Sequence, residues 1–158
     1  MQEIQRGEML MALVHDFLLL EGEELLDPNL KKNRDVVEID DDIILYINDS
    51  LKWVPQAQNA YLNEKKYGLN YYGFTYFDKD GVEIFYQILK AWSDLFKNSP
   101  PKLKLTGQYY WLEGENINSG KYERIELDRD TVIEKFQKLM AFAEKVMNHD
   151  YELVHFGI

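Results

Sequence analysis

The stretch Asn70–Phe96, NYYGFTYFDKDGVEIFYQILKAWSDLF, sets the reading of the whole chain. Its first part alternates with a period of two. Tyr72, Phe74 and Tyr76 fall on one face; Leu69, Tyr71, Thr75 and Phe77 fall on the other. Both sets are apolar or aromatic, which predicts a strand covered on both sides in the middle of a sheet. The turn at Asp78–Gly81 follows, with Asp80 and Glu83 at the spacing of a capping box. Val82, Phe85, Ile88, Leu89, Trp92, Leu95 and Phe96 then recur at three- and four-residue steps, the pattern of an amphipathic helix. Ser99–Pro100–Pro101 ends it, because a residue before proline is pushed out of the helical region.

A second set of elements follows. Leu103–Glu113 reads as a strand and Lys121–Leu127 as its return, joined by the Gly/Asn/Ser-rich residues GENINSG. Thr131 and Glu134 have capping-box spacing, and Val132, Phe136, Leu139, Ala143 and Val146 form one helical stripe behind them. Tyr151–Ile158 reads as a final strand. From residue 70 the order is β-α-β-β-α-β, which predicts an α+β protein of the ferredoxin-like sandwich type over residues 70–158. Its sheet would be antiparallel under two helices, with the strand at 70–77 central and the last strand beside it.

Upstream, Leu10, Leu13, Val14, Phe17 and Leu18 share a helical face, and Met11, Leu19 and Leu20 add apolar residues off it. This predicts a helix over 4–21 that is deeply buried or packs on a second copy of the chain. The run is too short for a membrane span, which needs about 20 apolar residues, and His15 and Asp16 interrupt it. Gly22 would cap it, and 22–35 would be loop. Val36–Ile39 reads as a short strand. Asp40, Asp41 and Asp42 would cap a helix carrying Ile43, Ile44, Ile47, Leu51 and Val54 on one face, stopped by Pro55. Residues 56–69 lack a period and read as a linker or loop. The expected organisation is one domain over 1–158: an acidic helical extension (1–55), a linker (56–69) and the sandwich (70–158).

Charge narrows the partners. The 158 residues carry 18 Lys/Arg against 28 Asp/Glu, a net charge of −10. Residues 1–69 hold 7 and 14 of these, net −7, and residues 70–158 hold 11 and 14, net −3. Nucleic-acid binding draws on clustered Lys and Arg to displace counterions, and no basic run is present, so nucleic acid is disfavoured. Acidic surface steers basic proteins, so a protein partner, a basic one included, is the class that fits. There is no cysteine, which suits a reducing, cytoplasmic setting and removes thiol chemistry.

The candidate binding surface is the sheet face bearing Tyr72, Phe74 and Tyr76, joined by Tyr109 and Trp111 from the next strand, with His155 on the last. It would be either the floor under the N-terminal helices or a platform for a protein or a small flat ligand. His15, His149 and His155 lack the four-residue spacing of a helical metal clamp, and Asp78–Gly81 lacks the later ligands of a calcium loop. Nothing calls for a cofactor or a metal. No phosphate-binding glycine loop and no nucleophile elbow occurs. The expectation is a non-enzymatic protein-binding or regulatory module, with an immunity- or inhibitor-like role compatible with it. The alternative is a small-molecule binder or enzyme using an aromatic pocket between the sheet and the N-terminal helices. Self-association through the N-terminal helix is compatible with either.

Overall fold

The computed structural model describes residues 13–21, 34–58 and 64–158. It is an α+β protein with two antiparallel sheets. The strands are β1 (Val14–Glu21), β2 (Val37–Asp40), β3 (Phe74–Phe77), β4 (Lys102–Tyr110), β5 (Lys121–Asp128) and β6 (Tyr151–Phe156). The helices are α1 (Asp41–Tyr46), α2 (Asn48–Leu51), α3 (Lys79–Phe96) and α4 (Arg129–Asn148). The larger sheet has the order β2-β1-β6-β3, and the smaller is the hairpin β4-β5.

The main departure from expectation lies at the N-terminus. Residues 14–21 are not helix but strand β1, hydrogen-bonded to β2 on one side and β6 on the other. Among them, His15, Phe17 and Leu19 point to the side covered by α3 and α4, while Leu18 and Leu20 point to the opposite face with Val154. An interior strand buried on both sides reads as a continuous apolar run. Over eight residues, periodicity alone does not separate that from a buried helix. The rest of the expected helix (4–12) and most of the expected loop (22–33) lie outside the described residues, as do 59–63 of the linker. The self-association was expected of a helix, whereas residues 14–17 pair with β2 and 16–21 with β6.

The strand predicted to be central is instead an edge. Among the described residues β3 pairs only with β6, and on its outer side the Ala57 amide donates to the Tyr76 carbonyl at 2.7 Å. The two interior positions went to β1 and β6, whose apolar residues serve both faces. The β-α-β-β-α-β order from β3 to β6 is present, but β4 and β5 do not join the larger sheet. They pair with each other and bury only a proximal apolar set: Leu103 and Ile125 fully, Leu105 and Leu127 in part.

The core lies between the larger sheet and the α3/α4 layer. The Phe85 ring stacks between Phe17 (5.7 Å) and Phe77 (5.9 Å), and Phe96 meets Phe136 at 6.2 Å. Each such buried phenylalanine contributes about 1.5–3 kcal/mol by area. Both long helices start earlier than the capping boxes implied. Asp78 accepts from the Gly81 amide at 3.2 Å, and Asp128 accepts from the Thr131 amide and hydroxyl at 2.8 and 2.7 Å. A β-carbon on Gly81 would run into the Pro55 carbonyl oxygen, so this helix start demands glycine for close approach.

Candidate functional site

Two features stand out: a buried polar chain beneath the sheet and an exposed aromatic arm. The chain is assembled from four separate segments. His155 on β6 lies opposite Thr75 on β3 and diagonally across from His15 on β1. Asp41 opens α1 immediately after β2 and is fixed by its amide donating to the Leu13 carbonyl at 3.0 Å. Tyr71 is held by the C-terminal residues, since the Ile158 amide donates to its carbonyl at 3.1 Å and the Gly157 amide to that of Gly73 at 2.7 Å. Gly73 turns the chain there at φ 96°, a conformation that suits glycine.

One placement of hydrogens gives every atom of this chain a partner. The Tyr71 hydroxyl donates to Asp41 Oδ2 at 2.9 Å, and His15 Nε2–H donates to Asp41 Oδ1 at 2.9 Å. His155 Nε2–H donates to His15 Nδ1 at 2.8 Å. The Thr75 hydroxyl donates to His155 Nδ1 at 3.3 Å and itself accepts from the Asn70 amide at 2.8 Å. The two imidazoles stack with centroids 5.0 Å apart, and Phe17 packs against His155 at 4.9 Å.

Burial, and secondarily the neighbouring His15, pushes the His155 pKa down to about 3. Burial first, then the hydrogen bond to Asp41, pushes the Tyr71 phenol up to about 12. A hydrolytic nucleophile must be reachable, yet Thr75, His15 and His155 are all buried. None of the clefts on α1, α3 or the arm includes these side chains. This clasp joins three strands, α1 and the turn before β3. The aspartate triplet does not cap α1: Asp40 at the N-cap makes no side-chain cap bond, and Asp41 is spent on the clasp.

The second feature is the far half of β4–β5. The register slips between Thr106 and Tyr109, leaving Gly107 and Gln108 as a bulge. On the body side of this kink the hairpin is anchored by Leu103, Leu105, Ile125 and Leu127. Beyond it every residue from Gln108 to Ser119 is exposed. Tyr109 contacts Tyr122 (centroids 5.1 Å) and Trp111 (6.4 Å), and the Tyr109 hydroxyl donates to the Ile117 carbonyl at 2.7 Å. Tyr110, Leu112 and Ile117 are exposed beside them; Trp111 shows 48% and Tyr122 61% of its surface.

The residues expected to form one surface are thus divided. Phe74 and Tyr76 do share the face away from α3 and α4, where Phe74 meets Phe156 at 4.8 Å. Tyr72 sits in the preceding bend, exposed and edge-on to Tyr71 at 4.9 Å. Tyr109 and Trp111 belong to the arm, and His155 is on the opposite face within the clasp. Sequence reading missed His15, Asp41 and Tyr71 as partners of His155, and Tyr110 and Tyr122 as arm residues. The aromatic density of 109–111 was visible; the strand pairing that brings Tyr122 to it was not.

A cleft of about 250 Å³ lies between α1 and the arm, lined by Asp42, Tyr46, Gly107 and Glu123 among others. Burial, followed by Asp41 and Asp40, raises the Asp42 pKa. Among the described residues no group of three or more carboxylates or imidazoles is arranged to hold a metal ion. Likewise, among them no helix is long and apolar enough to cross a membrane. Comparison with protein-family models, with curated proteins and with solved structures returned no match.

Proposed function

We propose that this is a non-enzymatic protein-binding module that engages its partner with the distal half of the β4–β5 arm. The exposed aromatic cluster on that arm is the observation that carries the reading. A two-stranded hairpin is marginally stable in water, and apolar side chains beyond its anchored half gain nothing there from the protein's own core. Tyr and Trp are the residues most enriched among those that dominate binding energy, because each buries a large area at low entropic cost.

Charge supports a division of labour. Residues 102–128 carry 4 basic and 5 acidic side chains, net −1, so of the total −10 the rest of the chain carries −9. An acidic body attracts a basic protein over distance while a near-neutral aromatic arm docks it. An inhibitor- or immunity-like role towards a basic protein, in a reducing cytoplasm, fits this distribution and the lack of cysteine.

The test is paired capture with full-length protein and a Tyr109→Ala/Trp111→Ala/Tyr122→Ala variant as baits at low salt. A partner held by the wild type should be lost from the variant. Reconstituted with the purified partner, the variant should bind about 30-fold or more weaker, the loss of one strong anchor of about 2 kcal/mol. Equal affinity of the two baits for that partner would refute the reading.

A further inference from the structure

We infer that the cleft between α1 and the root of the β4–β5 arm is a slot for an arginine side chain presented by a protein partner. The cleft holds about 250 Å³, below the about 300–1,000 Å³ of small-molecule pockets, so it suits a single long side chain. Leu45, Tyr46 and Ile125 give it apolar walls, and two carboxylates line it from separate elements, Asp42 on α1 and Glu123 on β5. The β4 bulge makes the room. A β-carbon on Gly107 would stand 2.9 Å from Glu123 Oε2 and 3.2 Å from Ile125 Cδ1, so glycine at the bulge leaves the space in which that carboxylate lies.

Charge selects the occupant. Asp40 has Lys135 at 3.7 Å, and Asp41 has His15 and Tyr71, each at 2.9 Å. Asp42 and Glu123, by contrast, have no ion-pair or hydrogen-bond partner among the described residues. The nearest cations of the arm are turned elsewhere. Lys121 Nζ lies over the Tyr110 ring, 5.8 Å from its centre, and Arg124 alternates with Glu123 onto the other face of the hairpin. Burial and the like charges of Asp41 and Asp40 penalise the Asp42 anion, a penalty that a bound cation relieves. Carboxylates beside apolar walls call for a cation on an apolar stem. A guanidinium fits better than an ammonium, because its planar fork donates to two acceptors at once and its face stacks on an aromatic ring such as Tyr46. None of the described residues lining the cleft is basic, so the carboxylate of a free amino acid would find no counter-charge there, whereas an arginine within a peptide carries none. The slot rests on the reading of the protein as a protein-binding module. Glu123 shares its hairpin face with Lys121 and Tyr110, so a partner gripping the arm from its body side reaches the cleft with one side chain.

Titration of the full-length, isotope-labelled protein with Nα-acetylarginine methylamide, followed by amide NMR, tests this. The amides of Gly107, Gln108 and Glu123 should shift saturably, with a dissociation constant on the order of 1–10 mM. The citrulline analogue, which keeps the shape without the charge, and the lysine analogue should both bind about fivefold weaker or more. Asp42→Asn with Glu123→Gln should weaken arginine binding about tenfold or more, and Glu123→Gln alone, at an exposed position, about threefold. The single variant keeps the test decisive if the double variant fails to fold. Absence of a saturable shift at the cleft, a citrulline analogue that binds as tightly, free arginine that binds more tightly than the capped form, or a Glu123→Gln variant of unchanged affinity would overturn the inference. The Tyr109→Ala/Trp111→Ala/Tyr122→Ala variant keeps every residue that lines the cleft and should bind the arginine derivative as the wild type does. Failure of the slot therefore shows in this titration, and failure of the arm in partner capture.

Discussion

Acid should weaken this fold in a way that one residue controls. His155 is buried against His15, Thr75 and Phe17, with Asp41 and Tyr71 at the far end of the same chain of bonds. Its pKa falls from the ordinary 6.5 to about 3 because burial penalises the charged form. In the unfolded chain the imidazole takes up a proton below pH 6.5; in the folded protein it does so only near pH 3. The unfolded state therefore binds more protons across that window, and stability is present above pH 6.5 and lost as pH falls towards 3. One proton corresponds to about 1.4 kcal/mol per pH unit, hence about 3 kcal/mol between pH 6.5 and 4.5 and about 5 kcal/mol in all. Urea unfolding at half-unit intervals of pH, on the wild type and on His155→Gln, isolates this contribution. The carboxylates titrate in both proteins and cancel in the difference. The variant is expected to be less stable at pH 7 but to lose less per pH unit in acid, by an amount approaching the one-proton slope. If the two pH profiles run parallel between 6.5 and 4.5, the account of His155 as a buried neutral imidazole is wrong. Imidazole NMR signals give an independent reading: those of His155 should not titrate above pH 4.5.

Three further outcomes follow from the same geometry. Asp41→Asn should cost about 2–3 kcal/mol, because it weakens two hydrogen bonds to a charged acceptor, whereas Asp40→Asn, at an N-cap position with no side-chain cap bond, should change stability little; chemical denaturation of both separates clasp from cap. Tyr71 ionises near 12 rather than near the ordinary 10, so it favours the folded state below pH 10 and that contribution is lost as pH rises towards 12. Tyr71→Phe should flatten the alkaline limb of the stability profile and remove a phenol that ionises near 12 from an ultraviolet titration. Gly81→Ala raises helix propensity by about 1 kcal/mol yet should destabilise by about 1–3 kcal/mol net, because the new methyl meets the Pro55 carbonyl oxygen; a raised thermal midpoint would contradict that packing.

Local pattern was enough to determine several parts of this protein. The three- and four-residue steps of Val82–Phe96 and Val132–Val146 define α3 and α4, since an isolated stripe of that period has one stable use. The Gly/Asn/Ser loop at 114–120 sets the β4–β5 hairpin, and the charge and the missing cysteines follow from composition alone. Tertiary structure decided the rest. Whether HDFLLLE would be helix or strand depended on partners far away, because a strand's hydrogen bonds are made to another segment and a helix's to itself. Once β1 took the place beside β6, β3 became an edge and β4–β5 was left as an arm. The clasp shows the same limit most sharply. His15 and His155 are 140 residues apart, and no spacing rule along the chain connects them. Their contact is a consequence of antiparallel register, which exists only after the sheet has formed.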